Sequence, residues 1–198
     1  MSTVSVPLDQ ATPLWERFFT VAPLGIVGTL EGDGYDLAPK HMIVPLGRGN
    51  YIGFVCTPDH ATYRNVRQHG AFTLSFVKPS QLVVASLAAS RRVNPEGDKP
   101  GLLGLPVEPA KKIEGVLVKD SYVQLECRLA KVVEGFDDNS LIAGRIVAAH
   151  VDEHALRVSD ADESEAFHES PMLAYVHPGR FAEITETYAF PHPASDYD

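Results

Sequence analysis

The sequence predicts a mainly β fold, about six strands curled into a closed or split barrel with one or two short helices inserted. Three observations carry this. Apolar, β-branched runs recur along the chain between turn signals. Two of the longest, Ser121–Gly135 and Ser140–Asp152, are separated only by the hairpin-prone "FDDN" at 136–139. Helical signals are confined to short stretches.

The elements run in this order. "PLWERFF" (Pro13–Phe19) reads as a short helix, and "LGIVGTL" (Leu24–Leu30) as the first strand, stopped by the "EGDG" turn at Glu31–Gly34. "YDLAP" pairs back across that turn as a hairpin. "NYIGFVCT" (Asn50–Thr57) is a third strand. "PDHATYRNVRQHG" is a helix, with start signals at Pro58 and Asp59 and a glycine stop at Gly70. "AFTLSFV" (Ala71–Val77) returns to strand, and "SQLVVASLAAS" (Ser80–Ser90) has helical length and composition. Residues 91–115 are rich in Pro and Gly and read as an excursion or lid. The two long strands come next, then an acidic solvated stretch at 153–170 and a last short strand within Pro171–Thr185. The tail "YAFPHPASDYD" has no period, and no internal repeat is present.

A length of 198 residues suits one domain, 1–198, with a core over about 20–182 and an irregular tail at 183–198. Hydrophobic residues at 44% and charged residues at 22% place the chain among ordinary globular proteins. A net charge of −9 argues against nucleic-acid binding, which needs a basic face, yet leaves room for a local basic pocket. Cys56 and Cys127 sit in separate apolar runs and read as buried free thiols. No signal peptide and no membrane-length apolar run is legible, so a cytoplasmic protein that does not engage the membrane is expected.

The stretch "GYDLAPKHMIV" (Gly34–Val44) is odd for a strand. Pro39 cannot donate to a ladder and belongs at an edge, a start or a bulge, so the strand should break there and display Lys40 and His41. Neither the G-x-G-x-x-G fingerprint, nor a P-loop, nor a G-x-S-x-G elbow occurs. "HVDEH" (His150–His154) spells a zinc-peptidase pattern, but that chemistry needs a helix, and His150 closes a β-rich run; no metal site is expected. The helix near Ala61 is either an ordinary solvent-facing helix or a phosphate site, since helix N-termini present free N–H groups. Thr62 would add a hydroxyl, and Lys40, Arg64 and Arg67 charge.

"DLAP" (Asp36–Pro39) and "TYRNVRQHGAF" (Thr62–Phe72) resemble the flavin reductase-like, FMN-binding split-barrel family. The usual forms there are Asn-Leu-Ala-Pro-x-Ser and Asp-Thr-x-x-Asn-Ile, then Gly-x-Phe. "ECRLAKVVEG", "IAGRIVAAHVD" and "PMLAYVHPGRF" look like its last strands and its C-terminal motif, so the likeness spans about residues 20–182.

The resemblance implies a six-stranded antiparallel Greek-key split β-barrel that binds FMN between two copies of a homodimer. It places Ala38, Pro39, Lys40, His41 and Met42 along the isoalloxazine, Cys56 and Thr57 beside the flavin, and Thr62 and Asn65 in the phosphate-binding motif. Two positions depart from the family pattern. His41 stands where Ser is usual, either replacing its hydroxyl as a donor to the flavin or closing the site to a nicotinamide. Ala61 stands where Asp is usual. The implied activity is that of an NAD(P)H:flavin reductase, in which the cofactors carry the hydride chemistry. His41 and His177 are the catalytic candidates, and together with His60 they are the histidines suited to proton or pyrophosphate roles; each is otherwise a structural or exposed histidine. The alternatives are a split barrel that holds FMN or haem without turning over NAD(P)H, and a barrel with a vestigial pocket. The tail either lies across the neighbouring subunit near the flavin or frays.

Overall fold

A computed structural model describes residues 5–93, 99–157 and 163–189. The tail beyond residue 189 lies outside them. The strands, in chain order, are β1 (Thr20–Pro23), β2 (Gly25–Glu31), β3 (Gly34–Lys40), β4 (Ile43–Pro45), β5 (Tyr51–Cys56), β6 (Ala71–Phe76), β7 (Val107–Pro109), β8 (Val116–Val118), β9 (Val123–Phe136), β10 (Asn139–Val151), β11 (Met172–His177) and β12 (Arg180–Ile184). The α-helices are α1 (Ala61–His69), α2 (Leu82–Ala88) and α3 (Glu163–Glu169).

Seven strands form the main sheet in the order β3-β2-β6-β9-β10-β5-β4, every pairing antiparallel. β3 and β4 are its opposite edges, yet only His41 and Met42 separate them in the chain. The sheet must therefore curl until its two edges nearly meet, and the chain steps across the seam at His41–Met42. That seam is the split of the barrel. It also explains the odd stretch: Lys40 still pairs with Gly25 of β2, whereas the carbonyl of Met42 already accepts the Val55 N–H of β5 at 3.0 Å.

Pro39 does not end β3. It pairs with Ile26, and the ladder runs on to Lys40, because β3 is an edge strand and its outer side needs no donor. The expected break comes after Lys40, imposed by the change of edge.

β2 is buried along both faces. Val27 packs into a cluster with Phe54, Phe72, Leu74 and Ile142. Ile26, on the other face, joins Leu37, Val77, Val118 and Leu173 together with Ala85 and Ala88 of α2. A near-continuous apolar run is what a strand covered on both sides requires. The β2–β3 hairpin turns at Gly32, whose φ of 55° lies in the left-handed region, and Gly70 caps α1 at φ 66° in the same way.

Several expectations change. The main sheet has seven strands rather than six; the extra one is β4, three residues long, too short to show a period. The last short strand is a hairpin, β11–β12, which joins β1 in a separate three-stranded sheet. Pro13–Phe19 is not a helix: only a 3-10 turn forms at Leu14–Glu16, and Trp15 and Phe19 stay exposed, so no apolar face is docked to stabilise more. The excursion at 91–115, insofar as it is described, is pinned rather than loose. β7 and β8 pair, Thr73 Oγ1 donates to the Val116 carbonyl at 2.5 Å, and the fully buried Glu126 carboxylate accepts the N–H groups of Lys111, Lys112 and Ile113 at 2.9, 2.5 and 3.1 Å.

Candidate functional site

A cavity of about 600 Å³ opens beside the seam. One wall is the end of β3 (Asp36, Ala38, Pro39, Lys40) and the start of α1 (Asp59, His60, Ala61, Thr62, Arg64). The other is the C-terminal end of α2 with the segment beyond it, Ala88 to Arg92, and Lys99. The step across the seam puts Lys40 at the end of β3. α1 is aimed at the cavity because Thr62, Asn65 and Val66 form its buried face against the barrel, and Asn65 Nδ2 donates to Thr29 Oγ1 of β2 at 3.1 Å.

The electrostatics favour an anion. The N-cap residue of α1, His60, makes no side-chain cap bond, so the first-turn N–H groups lack the usual side-chain acceptor. Lys40, Arg64, Arg91, Arg92 and Lys99 line the same space. Burial and then the nearby Lys40 hold His60 below the usual histidine value of 6.5. Ser90 contributes to the far wall, but its Oγ has no hydrogen-bond partner and is buried against Gly101, away from the open space.

Some of these cations also hold the wall together. Lys99 Nζ donates to Asp36 Oδ1 (3.0 Å) and to the carbonyls of Leu37 (2.6 Å) and Ala88 (2.8 Å), tying β3 to α2. Arg92 pairs with Glu31 at 2.5 Å and faces Asp36 at 3.4 Å. Arg67 turns away from the cavity, donating to Tyr63 Oη and to Glu134, both at 3.0 Å.

At the seam itself the His41 ring stacks on Tyr175 with centroids 4.5 Å apart, and lies 5.5 Å from the His177 ring. Both His177 nitrogens are buried without a partner. Burial, followed by the proximity of His177 and Lys40, holds His41 below its ordinary value.

The structure thus gathers Ala38, Pro39, Lys40 and Thr62 in one cavity, with Cys56 reached through Lys40, whose Nζ donates to Cys56 Sγ at 3.5 Å. His41 and His177 meet at the seam. The other three do not line the cavity. Met42 is exposed, Asn65 points into the barrel wall, and Thr57 donates to Asn139 at 3.3 Å beside a separate, acidic hollow of about 580 Å³. Sequence reasoning missed Asp36, Ser90, Arg91, Arg92 and Lys99. The only signal for the cations was "SRR" and a lone lysine in a stretch otherwise marked by Pro and Gly.

The arrangement can hold a phosphate-bearing ligand and offer aromatic rings near a seam. His150 lies in β10 and His154 in a 3-10 turn, and among the described residues no cluster of His, Cys, Asp or Glu could hold a metal ion.

The family model for the flavin reductase like domain matches residues 18–183. No curated protein sequence matches the chain. Solved structures do. The chain is similar to nitrilotriacetate monooxygenase component B from Bacillus cereus at TM-score 0.78, with 18% identity, covering 96% of this chain and 100% of that one. It is similar to a split-barrel-domain protein from Shewanella frigidimarina NCIMB 400, assigned to the flavin reductases, at TM-score 0.74 and 19% identity, covering 87% of each chain. It is also similar to the NADH:FAD oxidoreductase of Streptomyces globisporus C-1027, at TM-score 0.71 and 14% identity, covering 92% and 98%. At these identities the structures establish the split-barrel fold.

Proposed function

The chain belongs to the flavin reductase like domain family, and from that premise we propose that it is an NAD(P)H-dependent flavin reductase binding FMN in the cavity beside Lys40. The observation that carries this is the convergence of an uncapped α1 N-terminus and the Lys40 and Arg64 side chains on one cavity of about 600 Å³. Those groups fit a phosphate on an otherwise acidic protein. When bound, the flavin supplies the ring that accepts hydride from a nicotinamide.

The chain's own residues have the remaining roles. Thr62 and the first-turn N–H groups hold the phosphate, and Lys40 offsets its charge. The backbone of Ala38 to Met42 leads the ligand toward the seam. His41 and His177 hold or move a proton there; burial first, then the nearness of His177 and Lys40, favours the neutral form of His41. No helix among the described residues is long and apolar enough to cross a membrane. We place the protein in the cytoplasm, where the free thiols Cys56 and Cys127 stay reduced. We also propose a homodimer that buries at least about 1,000 Å², using the exposed Met42, Val44 and Tyr51 at the β4–β5 edge. Light scattering should exceed the 21.6 kDa monomer mass.

FAD is a second reading. Arg91 and Arg92 extend the basic wall past the α1 end, where a second phosphate could sit, and one similar structure is an NADH:FAD oxidoreductase.

The test is Thr62→Val. Loss of one hydrogen bond to a charged group should weaken FMN binding roughly 10- to 150-fold, while riboflavin, which lacks the phosphate, binds wild type and variant alike. Equal FMN affinity, or equal loss of riboflavin, removes Thr62 from the site. NAD(P)H oxidation with excess flavin separates a reductase from a flavin- or haem-binding barrel. Parallel titrations with FMN and FAD decide between the two flavins.

A further inference from the structure

Lys40 and Cys56 are the last residues of β3 and β5, two strands far apart in the order of the sheet. Curling of the barrel brings them together, and Lys40 Nζ lies 3.5 Å from Cys56 Sγ. Burial pushes the Cys56 thiol up and Lys40 pulls it back, by charge and by hydrogen bond. The other thiol, Cys127, is pushed up to about 12 by burial and by the neighbouring Glu126. So the chain has one thiol fixed against an amine at the cavity wall and one buried beside a carboxylate.

We propose that Lys40 and Cys56 form a reversible covalent N–S bridge when a hydroperoxide oxidises Cys56. Sγ attacks the peroxide: an S–O bond forms, the O–O bond breaks, and one water leaves, giving the sulfenic acid. Lys40 Nζ, as the free amine, then attacks Sγ. The N–S bond forms as the S–O bond breaks, and the departing hydroxide takes the amine proton as a second water. Sulfur loses two electrons and the peroxide gains them; the protein loses two hydrogens. Both backbones are held by the ladder, so only the flexible lysine stem has to move. Once formed, the sulfenic acid lies against the Lys40 amine, 3.5 Å from Sγ before oxidation, so intramolecular capture competes with deeper oxidation. A dithiol reverses the bridge.

The bridge draws Lys40 back from the cavity and cancels its charge, so binding of a phosphate-bearing ligand there should weaken roughly tenfold, the scale of one lost charge-assisted hydrogen bond. Only this last consequence rests on the flavin reading.

The test treats the full-length protein with graded hydrogen peroxide and maps the products by mass. Expected is a species about 2 Da lighter, with Lys40 and Cys56 in one cross-linked peptide, restored by dithiothreitol and absent from Cys56→Ser and Lys40→Arg. A Cys56–Cys127 disulfide has the same mass, so the species must persist in Cys127→Ser. Loss of the species in Cys127→Ser, its survival in Lys40→Arg, or a wild type that gains only oxygen atoms at Cys56 overturns the proposal. Bridge formation in a protein that does not bind FMN upholds the bridge and counts against the cofactor reading alone.

Discussion

Lys99→Met removes the tie between the two walls of the cavity. The Lys99 side chain is 11% exposed and the Asp36 side chain it meets is 4% exposed, and the ammonium spends its three donors on Asp36 and on the carbonyls of Leu37 and Ala88. Methionine keeps most of the stem but leaves Asp36 as a buried charge that has lost its nearer partner. Breaking a buried pair from one side costs about 3–5 kcal/mol. Arg92, 3.4 Å from the same Asp36 oxygen, still faces it, so the lower end, about 3 kcal/mol, is expected. With a urea dependence of about 2 kcal/mol per molar, the midpoint should fall by about 1.5 M at unchanged slope. Asp36→Asn in the same chain removes the stranded charge and should recover at least half of the loss, since the penalty lies in the unpaired ion rather than in the missing bond. A midpoint drop below about 0.3 M, or a double variant no more stable than Lys99→Met, would refute this account of the wall.

The barrel and its surface give two more expected outcomes. A Cβ at Gly144 would lie 2.5 Å from the Phe72 ring and 3.0 Å from Cys127 Cβ, and Phe72 is itself set edge-on against Phe54 at 5.1 Å; Gly144→Ala should cost about 1–3 kcal/mol and lower the melting temperature by about 2–12 °C, and an unchanged melting temperature would mean the ring has room to move. The Lys78 ammonium, aided by the His154 N–H, holds Asp152 below the aspartate value of 3.8. The folded pKa is the lower one, so the stabilisation is full above pH 3.8 and fades as pH falls below it; wild type should therefore out-melt Asp152→Asn at pH 6, with the gap closing toward pH 3, and a gap independent of pH would show that the ion pair contributes nothing.

Local chemistry was legible in the sequence because each signal acts within a few residues. The "EGDG" and "FDDN" turns, Gly70 as the stop of α1, and the two long strands need only neighbouring residues to be read, and the structure has β2–β3, α1 and β9–β10 where they point. Lys40 and Thr62, drawn from chain segments 22 residues apart, do meet in one cavity. Their partners across the cavity could not be read, because they belong to remote segments. Ser90 and Lys99 arrive from the end of α2 and the excursion, and His177 reaches His41 from β11. Nor does charge alone say which cations face inward. Arg64 lines the cavity whereas Arg67, three residues on, meets Glu134 from the end of β9.

The sequence by itself determined the β2–β3 and β9–β10 hairpins, the glycine stop of α1, the acidic balance and the presence of a proline, a lysine and a histidine where a strand should not have them. Only the tertiary structure decided why they are there. An antiparallel ladder is closed by hydrogen bonds between distant segments, and once the seven-stranded sheet curls, its first edge and its last become neighbours in the chain. The backbone must leave one edge and join the other, and Lys40 and His41 stand at that crossing.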